Sequence, residues 1–216
     1  MKFIITAGPT REFIDPFRFI SNPSSGKMGY ALARAALQRC REVILISGPV
    51  ELPPVPGVVM VPVISALEMR DAVMTHFPSA DAVIMAAAVA DYRPRFNSRR
   101  KLKKGGAEIS LELVKNPDIL EELGRKKGDV ILVGFSAETD NIIDNAREKL
   151  KSKNLDLIIA NDISAPGSGF SVDTNRGIIV DRRLRVDELP LMSKDRLAEH
   201  IIKYTMDYIE VRQKLD

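Results

Sequence analysis

The sequence predicts an α/β protein: a doubly wound, mostly parallel sheet with helices on both faces, extended by a lysine-rich flap and a C-terminal β-hairpin. Three observations carry this. Short apolar runs alternate with longer amphipathic stretches along most of the chain. Ala82 to Ala88 (AVIMAAA) is apolar on both faces, as a central strand of a parallel sheet must be. The Gly-rich and polar clusters follow strands, at the end where open α/β sheets bind ligands.

Phe3 to Ala7 reads as the first strand. After a long loop, Gly26 to Arg39 reads as a helix, with Met28, Ala31, Leu32, Ala35 and Ala36 at helical spacing. Glu42 to Ser47 (EVILIS) is the second strand and Val58 to Val63 the third, which Pro62 places at an edge. Ser65 caps a helix to about Phe77, and Glu68 completes a capping box. Ala82 to Ala88 is the fourth strand, Asp118 to Lys126 a helix and Val130 to Phe135 the fifth strand. Asn141 to Ser152 is a helix and Leu155 to Ala160 the sixth strand. Two segments leave this rhythm. Ala107 to Leu113 alternates apolar and polar residues, which suits a solvated antiparallel strand or arm. Gly177 to Val180 and Leu184 to Val186 flank the turn Asp181-Arg182-Arg183 and read as an edge hairpin. The last helix runs from Lys194 to about Val211, capped by Ser193. No linker divides the chain, so residues 1–216 read as one domain.

Composition narrows the class. The 216 residues are 45% hydrophobic and 28% charged, as in ordinary globular proteins. No apolar run approaches the ~20 residues that span a bilayer, so no membrane segment is expected. The lone Cys40 excludes a disulfide framework, suits the cytoplasm, and reads as a buried, inert thiol. A net charge of +3 does not mark a nucleic-acid binder. The basic run from Arg93 to Lys104 lacks interleaved aromatics beyond Tyr92 and Phe96, so no nucleic-acid partner is expected. A dinucleotide-dependent oxidoreductase would need a compact Gly-rich turn after the first strand and an acidic end to the second. Here the loop is long and the second strand ends in Ser47-Gly48-Pro49.

The chemistry-bearing loops are specific. Ser24-Ser25-Gly26-Lys27-Met28-Gly29 places hydroxyls and glycines at a helix start, where free N–H groups suit phosphate; a packing cap is the competing reading. Ala86-Ala87-Ala88 lets a ligand approach the backbone, and Asp91 follows to meet a ribose, a base or a metal; taken alone, tight helix–sheet packing and a turn aspartate are the favoured reading. Lys101, Lys103 and Lys104, beside Gly105-Gly106, suit a mobile arm that folds over a polyanion; a solvated surface loop or a nucleic-acid patch is the competing reading. Asp118 caps the helix after Asn116-Pro117, Phe135 is placed to stack on a base or to join the core, and Lys149 and Lys153 share a helix face from which both can reach one anion or stay solvated.

Taken together, Gly8 to Gly29, Ala86 to Asp91, the Lys101–Lys104 cluster, Asn116-Pro117-Asp118, Gly134 to Thr139 and Asn154 to Asp162 resemble phosphopantothenoylcysteine synthetase, the carboxy-terminal half of a bifunctional coenzyme A biosynthesis protein in most bacteria. The resemblance runs from the first strand to the loop near Phe170. It implies a Rossmann-like core, a homodimer, and CTP with Mg2+ or Mn2+. It also implies two steps: the 4′-phosphopantothenate carboxylate forms an acyl-cytidylate with release of pyrophosphate, then the L-cysteine amine displaces CMP. The flavin-dependent decarboxylase half lies outside this sequence, so a phosphopantothenoylcysteine decarboxylase is an expected separate or detached partner.

By motif, the resemblance makes Asn22 the residue of the second step, Lys101 the flap lysine of the first, and Arg18 their companion for a phosphate or carboxylate. It assigns the nucleotide to Ser25, Gly26, Met85, Ala86, Ala87, Asp91, Lys101, Asn116, Pro117, Asp118, Ile119, Phe135, Lys149 and Lys153, with Lys103 and Lys104 completing the flap. It names no metal ligands. Phe17, before Arg18, is expected to pack rather than react.

Overall fold

The computed structural model describes residues 1–103, 109–162 and 172–213. In chain order the first elements are β1 (Lys2–Ala7), β2 (Arg11–Asp15), β3 (Arg18–Ser21), α1 (Lys27–Leu37), β4 (Glu42–Ser47), β5 (Val59–Pro62) and α2 (Ala66–His76). There follow β6 (Ala82–Met85), β7 (Tyr92–Pro94), β8 (Leu113–Lys115), α3 (Ile119–Lys126), β9 (Ile131–Glu138), α4 (Ile142–Ser152) and β10 (Leu157–Asp162). The chain ends in β11 (Thr174–Asn175), β12 (Gly177–Asp181), β13 (Val186–Glu188), β14 (Met192–Ser193) and α5 (Lys194–Gln213).

Eight strands form one sheet in the order β13-β12-β10-β9-β6-β1-β4-β5. The run from β10 to β5 is parallel, and β12 and β13 are added antiparallel, as the hairpin reading expects. Side-chain alternation along each strand feeds two apolar layers. Phe3, Ile5, Leu45, Ile84 and Ile159 face Leu32 of α1 and Leu197 and Ile201 of α5. Ile4, Ile44, Val83, Leu132 and Ile158 face Met69 of α2, Leu123 of α3 and Leu150 of α4. Helices therefore cover both faces, and β6 lies centrally. Pro62 ends the edge strand β5, where its missing N–H breaks no ladder.

Several boundaries depart from the sequence reading. The loop after β1 contains the antiparallel pair β2–β3. β9 continues three residues past Phe135, because β10 pairs with it as far as Glu138. Leu155 lies in the connection after α4, its N–H donating to the Leu150 carbonyl, and β10 starts only at Leu157. The alternating stretch that begins at Ala107 does not form a long strand: of its described part only Leu113 enters β8, which pairs with β7. Alternation proposes a strand, but a partner must hold it.

Ser65 caps α2 by accepting from the Glu68 N–H at 3.2 Å. The return arm differs from a standard capping box, since Glu68 accepts from the Ile64 N–H and the Ser65 hydroxyl rather than from the Ser65 N–H. Ser65→Ala is expected to cost about 1 kcal/mol, read as a lower denaturant midpoint at unchanged slope. Cys40 is buried, and burial pushes its thiol pKa up, which agrees with an inert thiol. Among the described residues no helix is long and apolar enough to cross a membrane.

Candidate active site

Two adjoining cavities open beyond the carboxyl ends of β1, β6, β9 and β10, where the fold concentrates its site loops. The larger, about 360 Å³, runs from the start of α1 (Ser24 to Gly29) past Ala86 to Phe135 and Lys149. The smaller, about 210 Å³, is walled by Met85, Asn116, Pro117, Asp118, Ile119 and Lys153. Ala87, Val89, Asp91 and Phe135 belong to both, so they form the partition. A roomier depression of about 610 Å³ lies at the opposite end of the sheet, beside Asp81, Val130 and Ile131, and gathers none of the expected site residues.

The start of α1 is built to leave donors free. Gly26 occupies the N-cap position at φ 76°, a left-handed conformation that a side chain would strain, and no side chain caps the helix. The turn of N–H groups that follows faces the larger cavity and suits an anion. Gly29 brings that turn onto β1: a Cβ there would lie 2.4 Å from the Ala7 Cβ. Gly29→Ala is expected to weaken nucleotide-induced melting shifts more than it lowers the melting point, because it displaces the anion seat first.

The Ala86–Ala90 backbone is less available than its small side chains suggest. The Ala87 N–H donates to Thr6 Oγ1, the Ala88 N–H to the Gly8 carbonyl and the Ala90 N–H to Thr10 Oγ1. The Ala88 carbonyl accepts from Asn22 Nδ2 at 3.1 Å, and the Ala90 carbonyl from Asn116 Nδ2 at 2.8 Å. Asn116 is thus buried as a brace. Asp118 caps α3 and pairs with Lys153 at 2.8 Å. Burial pushes its pKa up, but the Lys153 ammonium and the Glu121 N–H outweigh that and hold it below the ordinary value. Lys149 pairs with Glu138 at 2.6 Å and lines the other cavity, so the two lysines do not converge on one point as their spacing implied.

Arg18, Asn22 and Lys101 line neither cavity. Asn22 touches the partition through Ala88. Arg18 is forked onto the fully buried Asp15 and donates to the Leu102 carbonyl at 3.1 Å. Its guanidinium holds the Asp15 carboxyl well below the usual carboxylate range. Phe17, expected to pack, is instead 68% exposed, and Lys101 Nζ stands 5.2 Å from its ring centroid. Lys103 is exposed, and Lys104 lies outside the described residues.

Comparison with known proteins decides the family. The profile of the DNA/pantothenate metabolism flavoprotein C-terminal domain matches residues 1–208. The chain belongs to this family. A coenzyme A biosynthesis bifunctional protein CoaBC from Bacillus subtilis (strain 168) is 54% identical over 201 residues, 93% of this chain and 50% of that protein. A cysteine/cysteine sulfinic acid decarboxylase from an unknown prokaryotic organism is 47% identical over 204 residues, 94% of this chain and 57% of that protein. The chain thus spans about half the length of the curated relatives it matches. The crystal structure of a CoaBC C-terminal domain superposes with a TM-score of 0.83 at 42% identity, over 100% of this chain and 96% of that one.

In this member of the family the larger cavity holds residues that the sequence motifs did not point to. Ser136, Asn161, Asn175 and Lys194 all line it, beside Lys27 of the helix-start motif. Ser136 and Asn161 lie inside quoted motifs but pass as strand residues. Asn175 and Lys194 come from a hairpin and a helix start distant in sequence, brought in because α5 packs on α1.

Proposed function

We propose that the chain, as one catalytic unit, is a phosphopantothenate–cysteine ligase of coenzyme A biosynthesis. The family and the CoaBC relatives support the pathway. The observation that carries the chemistry is the shared partition. Two pockets with a common wall at Ala87, Asp91 and Phe135 let two substrates meet at one point. CTP and 4′-phosphopantothenate are both phosphorylated, which suits the donor-rich start of α1 and the lysines on the walls.

In the first step a carboxylate oxygen bonds to the α-phosphorus of CTP as the bond to the pyrophosphate oxygen breaks. An ammonium placed by Lys101 stabilises the departing charge. In the second, the cysteine amine bonds to the acyl carbon, CMP leaves with the C–O electron pair, and the amine loses a proton. The Asn22 amide, held at the partition by Ala88, orients the acyl group. A divalent cation such as Mg2+ or Mn2+, when bound, would offset the charge of the triphosphate. Asp91 presents a carboxylate on both walls, where it would hold such a cation together with the substrate's phosphate oxygens. The exposed Phe17 and Lys101 at the hairpin tip fit completion of the site by a second copy in a homodimer. On this reading the ligase works in the cytoplasm, with a phosphopantothenoylcysteine decarboxylase, separate or detached, as its partner.

The test is a substrate-omission assay. Pyrophosphate is expected only with CTP and 4′-phosphopantothenate together, and CMP release only once L-cysteine is added. Folded protein that releases no pyrophosphate from CTP, or from ATP tried in its place, sinks the ligase reading. Asn22→Ala is expected to accumulate the acyl-nucleotide and Lys101→Ala to prevent it, as mass spectrometry of the two mixtures would show.

A further inference from the structure

Arg93 opens the basic run that the sequence singles out, yet it lines neither cavity. It lies on β7, opposite Val114 of β8. Its guanidinium reaches past Val114 to the end of that strand, where Nη1 donates to the Lys115 carbonyl at 2.9 Å and to Asn116 Oδ1 at 3.0 Å. Asn116 is 5% exposed. Its backbone N–H donates to the Asp91 carbonyl and its Nδ2 to the Ala90 carbonyl, both at 2.8 Å. Arg93 therefore holds the one end of the amide that the loop itself does not.

The chemistry of the pair gives it a direction. A guanidinium only donates, so it meets the amide oxygen and leaves the amide nitrogen to Ala90. A hydrogen bond from a charged donor is of the stronger kind, and a buried amide oxygen that loses its donor is costly. Without Arg93, Oδ1 regains a donor only if Asn116 turns towards solvent, and Pro117, Asp118 and Ile119 follow it in the chain. All four wall the smaller cavity. The segment bearing Lys101 leaves the same strand pair, past Arg95, whose N–H donates to the Glu112 carbonyl at 2.9 Å. That segment has an anchor of its own, the Leu102 N–H on Asp15. Loss of Arg93 thus reaches the cavity wall and leaves the root of the flap tied.

We propose that Arg93 is a positioning residue: acting through Asn116, it fixes the wall on which the nucleotide lies, without touching the nucleotide. The inference rests on the ligase reading, which gives that wall to CTP. A second role for the same cation makes different predictions. A charge that draws anionic substrates in from a distance acts on both phosphorylated substrates, fades in salt and has no need of Asn116.

The experiment measures kcat and KM for each substrate in the coupled assay. Arg93→Ala is expected to raise KM for CTP about tenfold, the value of one hydrogen bond at the upper end. KM for 4′-phosphopantothenate and for cysteine, and kcat at saturating CTP, should hold, a split that general loosening of the fold would not give. Arg93→Met, which keeps the stem and removes the donors, should match Arg93→Ala, whereas Arg93→Lys should recover part of the loss. Adding Arg93→Ala to Asn116→Ala should cost nothing more. An unchanged KM for CTP overturns the proposal. So does a rise for both phosphorylated substrates that fades with salt, an Arg93→Met variant as good as Arg93→Lys, or a loss that adds to that of Asn116→Ala. Should Arg93→Ala not fold, Arg93→Met carries the same comparison. Should the wild type release no pyrophosphate, the ligase reading fails separately. The positioning role is then read from the melting shift with CTP alone: a shift reduced in Arg93→Met and regained in part in Arg93→Lys supports it, and equal shifts, or none in the wild type, overturn it.

Discussion

Asp156→Ala is expected to lower the unfolding free energy by about 3–5 kcal/mol, the cost of leaving a buried cation without its partner. Asp156 is 1% exposed and receives Lys127 Nζ at 2.6 Å, with Lys127 itself 6% exposed. The same carboxylate accepts the Leu132 N–H at 2.9 Å and faces Arg182 and Arg212 at 3.8 and 3.6 Å. Its removal strands one ammonium and frees the tie between the β10 approach and β9, the two strands whose far ends carry Asn161 and Ser136. Burial already holds the Lys127 pKa below the ordinary lysine value, against the pull of Asp156. Without the carboxylate, the folded-state pKa falls further below the unfolded one. A group with that sign costs stability while it is protonated and ceases to cost as pH rises towards the unfolded value. The deficit of Asp156→Ala should therefore shrink as pH rises towards the ordinary lysine value. Adding Lys127→Met should recover much of it. Denaturant titration of the four proteins checks the cycle. A midpoint unmoved by Asp156→Ala, or a deficit that widens with pH, rejects this account.

The parts of the fold that the sequence made legible are those written in local pattern. β4 is readable to the residue because the apolar run Val43 to Ile46 is bounded by Glu42 and Ser47 and stopped by Gly48-Pro49. Asp118 and Ser65 announce their helices because an N-cap is a local act. What was hidden depends on partners distant in the chain. Nothing in Phe135-Ser136-Ala137-Glu138 says how far β9 runs, since β10 sets its length. β2–β3 passes for loop because Arg11 to Asp15 does not alternate, and its pairing includes a register shift between Phe13 and Asp15. The candidate site divides the same way. Motif residues around α1, β6 and α3 meet at two cavities, whereas Asn175 and Lys194 look like an ordinary strand residue and a helix start until α5 is laid against α1. Phe17 was expected to pack because phenylalanine usually does; the tip of a two-stranded hairpin offers it no core, and it meets Lys101 instead.

That hairpin tip carries the second large effect. Asp15→Asn is expected to slow pyrophosphate formation about 100-fold, the order of loss that accompanies a displacement of about 1 Å in a positioned group. The Asp15 carboxylate does three things at once. Oδ1 accepts the N–H groups of Phe17 and Arg18 at 2.9 and 3.0 Å and closes the turn. Oδ2 takes the Arg18 guanidinium, and it also takes the Leu102 N–H at 3.1 Å, next to Lys101. One buried carboxylate therefore ties the arginine and the lysine proposed for the first step into a single unit. An asparagine can still accept at Oδ1, but its Nδ2 would face the Leu102 and Arg18 donors with a third donor. If Asp15 acts only through Arg18, Arg18→Ala should match Asp15→Asn, and the double variant should lose nothing more. If it also fixes the root of the flap, Asp15→Asn should fall below Arg18→Ala towards Lys101→Ala, while the melting shift with CTP stays at the wild-type value because both cavities are untouched. Rapid-quench measurement of the first turnover separates these cases, and a wild-type pyrophosphate rate in folded Asp15→Asn would show that the tie has no part in the reaction.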